Sequence, residues 1–174
     1  MKKILYTLLF CSIFAFATSC ADHREDGLLP SKVYLVRNGV EVYSSTSDKT
    51  SATATAWATK SGLLPSECVV TYEVDELALT EYNEYNSTNY EMLPESCYTI
   101  GQTVFSLGSD DLNAEFAVTY NPSAIYALTG EYNVPQKYAL PIRIKVDGLE
   151  LVEDKSVVIM TFNISKPADE TESE

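Results

Sequence analysis

The sequence predicts an all-β sandwich of about seven to nine short strands with one short inserted helix. Three observations lead there. Apolar and polar residues alternate with period two in successive segments from Val33 to Ile164. Residues that favour turns separate those segments. One stretch near the middle changes to helical spacing.

Taken in order, Val33 to Val36 and Val40 to Tyr43 flank Asn38-Gly39, a dipeptide that predicts a hairpin because it tolerates the positive φ of a tight turn. Thr53 to Thr59 alternates threonine with alanine, and Trp57 falls on the threonine side. Cys68 to Val74 alternates cleanly, with Val70 and Tyr72 on the face of Cys68. Val104 to Leu107, Ala114-Phe116-Val118-Tyr120, Tyr138-Leu140-Ile142-Ile144-Val146 and Val158-Met160-Phe162-Ile164 follow. Each set can line one face of a half-buried strand. Pro141 cannot donate to a ladder, which points to an edge or a bulge. Asp75 to Asn86 sets Leu77, Ala78, Tyr82 and Tyr85 near helical spacing, with Asp75 placed to cap. It reads as a short helix crossing between the sheets. Pro122 to Leu128 can form a further helical turn.

The ends read differently. Lys2 and Lys3 precede an apolar run from Ile4 to Ala17, and the small residues Ala17-Thr18-Ser19 end at Cys20. The run is shorter than the roughly 20 residues that span a bilayer, so 1–19 reads as a signal peptide. A small residue directly before a cysteine resembles the bacterial lipobox, in which the Cys20 thiol is lipidated and becomes the mature N-terminus, anchored to a membrane. Residues 20–32 then form a tether, 33–165 the sandwich and 166–174 a disordered acidic tail. The acidic residues after Cys20 resemble the signal that sends Bacteroidetes lipoproteins to the outer face of the outer membrane.

The full chain carries 12 basic and 25 acidic residues, a net charge of −13. Loss of Lys2 and Lys3 leaves 10 against 25, or −15. Such acidity argues against nucleic-acid partners and anionic lipid surfaces. Beyond Cys11 in the signal and Cys20, Cys68 and Cys97 are candidates for a disulfide in an oxidising compartment. Strand alternation points Cys68 inward but sets Cys97 opposite Tyr98 and Ile100, against a bridge. Two cysteines without a nearby histidine do not fill a zinc shell.

No catalytic constellation emerges, and the reading is of a non-enzyme without metal or cofactor. The single histidine, His23, lies in the tether, a poor place for a base that must hold a nucleophile within hydrogen-bond reach. Asp110-Asp111 with Asn113, and Glu73 with Asp75-Glu76, lack the spacing of a calcium loop and read as solvated turns. The 12 tyrosines and one tryptophan are more informative. Tyr82, Tyr85 and Tyr90 cluster around the helix and its exit and are, with Trp57, the candidate ligand-binding residues. Trp57 is the leading candidate for a ligand-facing ring, since exposed aromatics offer a flat apolar face at a wet surface. Tyr72, Tyr120 and Tyr138 read as structural rings that close the ends of the sandwich.

Two stretches carry a family resemblance. The first runs from Val74-Asp75 through Leu77, Tyr82-Asn83, Asn86, Thr88, Tyr90 and Leu93-Pro94 to Tyr98; the second is Lys137-Tyr138-Ala139-Leu140-Pro141-Ile142-Arg143-Ile144. Together they resemble a Bacteroidetes surface-lipoprotein domain of unknown function over about Val33 to Ser165. The resemblance implies an immunoglobulin-like sandwich. It also implies the N-terminal module of outer-membrane lipoproteins from glycan-utilisation loci, commonly followed by a lectin-like or glycoside-hydrolase domain. The motif residues Leu77, Tyr82, Leu93, Pro94, Tyr138 and Pro141 look structural. Two functions follow as expectations: an accessory glycan-binding module beside a polysaccharide importer, or a structural or adhesive module that contacts other surface proteins.

Overall fold

The computed structural model describes residues 29–62, 66–132 and 137–167. The signal peptide, Cys20 with the tether to residue 28, and the tail from 168 onward lie outside them.

Two sheets face each other. The first has the order β10-β1-β3-β8-β6; the second has the order β2-β11-β9-β4-β7, with β5 added beside β9. The first sheet holds β1 (Lys32–Leu35), β3 (Ala52–Ser61), β6 (Tyr98–Ile100), β8 (Asn113–Tyr120) and β10 (Glu150–Leu151). The second holds β2 (Gly39–Thr46), β4 (Cys68–Val74), β5 (Glu91–Met92), β7 (Val104–Leu107), β9 (Tyr138–Asp147) and β11 (Val157–Ser165). The architecture is an immunoglobulin-like sandwich, as expected. Every long alternating segment is a strand, while β5 and β10, two residues each, carry too little pattern to be read.

The alternation sorts side chains as period two requires. In β8, Ala114, Phe116, Val118 and Tyr120 are buried, and every intervening residue is exposed. In β3 the alanines at 54, 56 and 58 point inward. Their small size leaves room for the large rings opposite. Tyr72 of β4 stacks on Phe116 at 4.7 Å and meets Phe105 edge-on at 5.7 Å. Its hydroxyl crosses the sandwich, donates to the Ala114 carbonyl at 2.8 Å and accepts from the Ala58 amide at 2.8 Å. Ala58 and Ala114 face each other in the β3–β8 register, so the phenol is threaded into the ladder of the opposite sheet.

Lys60 also points inward, at the end of the sandwich where β1 begins, and is 5% exposed. Its ammonium donates to the carbonyls of Ser66, Gly108 and Ser109 at 2.7, 2.6 and 3.1 Å. That satisfies all three donors of a buried charge. Nearby, Gly62 has φ +112°, and a Cβ there would lie 2.4 Å from Ser31 Oγ, so the close approach requires glycine.

Three expectations need correction. Asn38-Gly39 does not close a hairpin: β1 pairs with β3 and β10, while β2 pairs in parallel with β11 in the other sheet. A type I′ turn needs positive φ at both central residues. Gly39 has φ 79°, but among the described residues Ser87 is the sole non-glycine with positive φ. The dipeptide therefore switches sheets instead of reversing the chain. Pro141 lies on β9, a central strand, not an edge. The ladder tolerates it because β4 pairs with β9 only as far as Val74–Ile142. There β4 departs, its next amide, Asp75 N–H, donating to the Pro141 carbonyl at 3.1 Å.

The third correction concerns the helix α1 (Glu76–Asn86), which lies on the outer face of the second sheet and does not itself cross. Its Leu79 packs with Ala139 and Ile159. A second helix, α2 (Pro122–Thr129), is a full element with an Asn121 cap and Gly130 in the left-handed region, where a single turn was expected. Cys68 and Cys97, the possible pair, are not bridged; both are buried free thiols. Cys68 starts β4, whereas Cys97 ends a 3₁₀ turn (Glu95–Cys97) by the far end of that strand. A seven-residue strand rises about 20 Å, far beyond the reach of a disulfide.

Candidate functional site

The outer face of the first sheet is built from the residues that alternation turns away from the core. On β3 these are Thr53, Thr55, Trp57 and Thr59; on β8 they are Asn113, Glu115, Ala117 and Thr119. Trp57 sits opposite Glu115, and Thr59 opposite Asn113. The indole is 42% exposed. Val36, 56% exposed, closes the row on the other side, its amide bonded to the Trp57 carbonyl at 2.9 Å. Tyr34 pairs with Thr59 in register, which makes it the diagonal neighbour of Trp57, about 7–8 Å away. The Lys155 ammonium lies 5.3 Å from the Tyr34 ring centre. Thr59 donates to the Asn113 side-chain oxygen at 2.7 Å.

The result is an open patch with an exposed indole, a neighbouring aliphatic group, the Tyr34 ring with its Lys155 ammonium, and a surround of hydroxyls, one amide and one carboxylate. Helix α1 covers part of the second sheet, yet among the described residues the outward side chains of β8 are all exposed. An exposed ring among hydroxyl and amide groups can stack on the apolar face of a ligand while its neighbours exchange hydrogen bonds.

The other aromatic candidates do not join Trp57. Tyr82 and Tyr90 stand together, ring centres 6.1 Å apart, but in the seam between α1 and the second sheet, packed with Val40, Met92 and Val157. Burial, and then Tyr82, pushes the Tyr90 phenol upward. Tyr85 is 90% exposed on the solvent side of the helix. The three tyrosines near the helix thus divide into a structural pair and a solitary ring, and of the four candidate aromatics only Trp57 lies on the outer face of the first sheet, beside Tyr34.

The two motifs meet around α1. Asp75 caps the helix through Oδ1, which accepts from the amides of Leu77 and Ala78 at 3.1 and 3.3 Å. Its Oδ2 accepts from Arg143 Nε of the second motif. Burial alone would raise the Asp75 carboxyl; the Arg143 contact and the helix amides outweigh it and hold the group below the usual range. At the helix exit, Asn83 Oδ1 accepts from Thr88 Oγ1 and the Tyr90 amide at 2.9 and 3.0 Å, while its Nδ2 donates to the Tyr90 carbonyl at 2.9 Å. One side chain thereby fastens the return loop. Leu93 donates through its amide to Ala139 at 2.9 Å and is 2% exposed. These residues build the fold, but Leu77, which the motif reading took as structural, is 62% exposed on the surface of α1. Glu73 pairs with Lys145 at 2.7 Å and Asp111 accepts from the Gly108 amide at 2.9 Å, so both acidic clusters have structural partners. Among the described residues no group of His, Cys, Asp and Glu gathers to hold a metal.

A family model described as an N-terminal domain matches residues 29–149, more than half of the chain. No curated protein matches. Among solved structures, a Bacteroides ovatus protein provisionally described as carbohydrate-binding superposes with a TM-score of 0.60 at 24% identity, over 79% of this chain and 37% of its own. A Bacteroides ovatus protein of unknown function gives 0.58 at 13% identity, over 76% and 44%. EndoBT-3987 from Bacteroides thetaiotamicron, solved with a Man5GlcNAc product, gives 0.54 at 17% identity, over 72% and 28%. The chain spans less than half the length of each of these, and at such identities the likeness is one of fold. The chain belongs to this N-terminal-domain family, a Bacteroidetes domain of unknown function.

Proposed function

We propose that this chain is a non-catalytic surface lipoprotein, anchored through Cys20 in the outer membrane and facing the cell exterior. In this reading it serves as an accessory glycan-binding module of a polysaccharide-utilisation system. The observation that carries the reading is the open outer face of the first sheet, where the exposed Trp57 indole stands among threonines, Asn113 and Glu115. Sugar rings present apolar C–H faces and a rim of hydroxyls, which this surface complements. The acidic charge favours neutral glycans over polyanionic ones. Two relatives in fold lend support, one provisionally described as carbohydrate-binding and the other solved with an oligosaccharide product.

The test is affinity electrophoresis of the full chain in detergent through gels containing neutral and acidic polysaccharides, with Trp57→Ala in parallel. Retardation by a neutral polysaccharide that Trp57→Ala abolishes is the expected result. Free migration in every gel overturns the glycan reading. Anchoring is tested separately: Cys20→Ala should lose metabolic palmitate label and leave the membrane fraction.

A further inference from the structure

A second surface lies where the chain crosses between sheets. Val74 and Glu76 at the start of α1, Met92 to Glu95, and Tyr98 and Ile100 of β6 line an open groove of about 750 Å³. That volume lies within the range of ligand-binding clefts, about 300–1,000 Å³. Its lining is mixed: Val74, Met92, Pro94 and Ile100 contribute apolar side chains, and its charge is wholly acidic, from Glu76 and Glu95. One wall belongs to β6, a three-residue edge strand that pairs with β8.

The two carboxylates differ from their neighbours. Glu73, Asp75 and Glu91 are each paired, with Lys145, Arg143 and Lys137. Among the described residues neither Glu76 nor Glu95 has an ion-pair partner, and both are exposed. After burial itself, the fields of Glu95 and Glu76 push the Tyr98 phenol upward, so both negative charges converge on one wall. Apolar side chains with uncompensated negative charge complement a cation carried beside an aliphatic chain. Lysine and arginine in a protein segment have that chemistry, with apolar stems and a charged tip.

We infer that this groove docks a basic, apolar segment of a partner protein. A lysine or arginine tip pairs with Glu76 and Glu95 while the neighbouring aliphatic side chain enters between Met92, Pro94 and Ile100. The groove stands on other elements than the Trp57 face, so each can bind without the other.

The test titrates the full chain in detergent, with labelled methionine methyls, against two capped peptides, Gly-Leu-Arg-Leu-Gly and Gly-Leu-Glu-Leu-Gly. Met92 borders the groove, while Met160, 0% exposed, serves as the internal control. The arginine peptide should shift the Met92 methyl and leave Met160 in place; the glutamate peptide should shift neither. Glu76→Gln with Glu95→Gln should weaken the arginine peptide at least about tenfold. Glu76→Arg with Glu95→Arg should reverse the preference, a gain of binding that misfolding cannot mimic. The inference is overturned if no peptide moves Met92 at millimolar concentration, if the neutralised variant binds equally well, or if maltoheptaose moves Met92 and the arginine peptide does not.

Discussion

Removing a single oxygen at Tyr72 should show how the two sheets are held together. Tyr72→Phe keeps the ring, its stacking on Phe116 and its edge contact with Phe105. It removes a hydroxyl that both serves the Ala114 carbonyl and receives the Ala58 amide, each at 2.8 Å. Two buried backbone groups then lose their partner, each at a cost of about 1–3 kcal/mol. The strands can close partly and bond Ala58 to Ala114 directly, which recovers some of this; a net loss of about 2–3 kcal/mol is expected. For a domain of this size that lowers Tm by roughly 6–10 °C. Urea unfolding followed by tryptophan fluorescence measures it, with Tyr34→Phe on the outer face as the control, expected within about 0.5 kcal/mol of wild type.

The same phenol sets an alkaline limit. Burial pushes its pKa well up, with the Ala58 hydrogen bond acting the other way. The unfolded chain ionises near pH 10, so the contribution of Tyr72 is complete below that pH and is lost as the pH rises toward the higher folded value. Tyr72→Phe should shed that part of the alkaline loss. A loss under about 0.5 kcal/mol for Tyr72→Phe, with unchanged alkaline behaviour, would refute the idea that the hydroxyl holds the ladder.

At the acid end the sign reverses. Asp75 is held below its usual range, so its contribution is present above about pH 4 and is lost as pH falls through the lower folded value. Asp75→Asn keeps a capping oxygen but gives up the Arg143 pair; it should cost about 1 kcal/mol at pH 7 and flatten the acid limb of stability below about pH 4. Asn83→Ala should release the loop from Ser87 to Tyr90, raising its amide exchange while the strands stay protected. Cys68 and Cys97 should both be alkylated in denaturant without reductant, and neither rapidly in the native state, because both are buried thiols; a disulfide-linked peptide pair would refute this.

The long alternating strands were readable because they pack one face and wet the other. Burial in β8 follows the sequence residue by residue, and the threonine–alanine run of β3 correctly turned Trp57 outward. Where the sequence misled, a local signal met a tertiary partner it does not encode. Asn38-Gly39 marks a bend, but which sheet β2 then joins depends on β11, some 120 residues away. Pro141 is tolerated in a central strand because β4 leaves the ladder beside it. Lys60 reads as a surface residue by type, and only the three carbonyls that converge on it explain its burial. The candidate site was legible at Trp57 for the same reason as the strands. Tyr82 was ambiguous, since helical spacing cannot say whether a ring faces a sheet or solvent, and Tyr90 lies in the loop after the helix, where no period applies. The groove beside Tyr98 had no local signature, because Val74, Leu93 and Ile100 come from separate segments joined only by the fold.

The most direct test of the functional account is the paired measurement of Trp57 and its platform. Wild type and Trp57→Ala should share the same Tm within about 2 °C, since the indole is a surface group. Only wild type should be retarded by a neutral polysaccharide in the gel. Equal retardation of both proteins, or of neither, would contradict the assignment of the first sheet's outer face as the glycan surface.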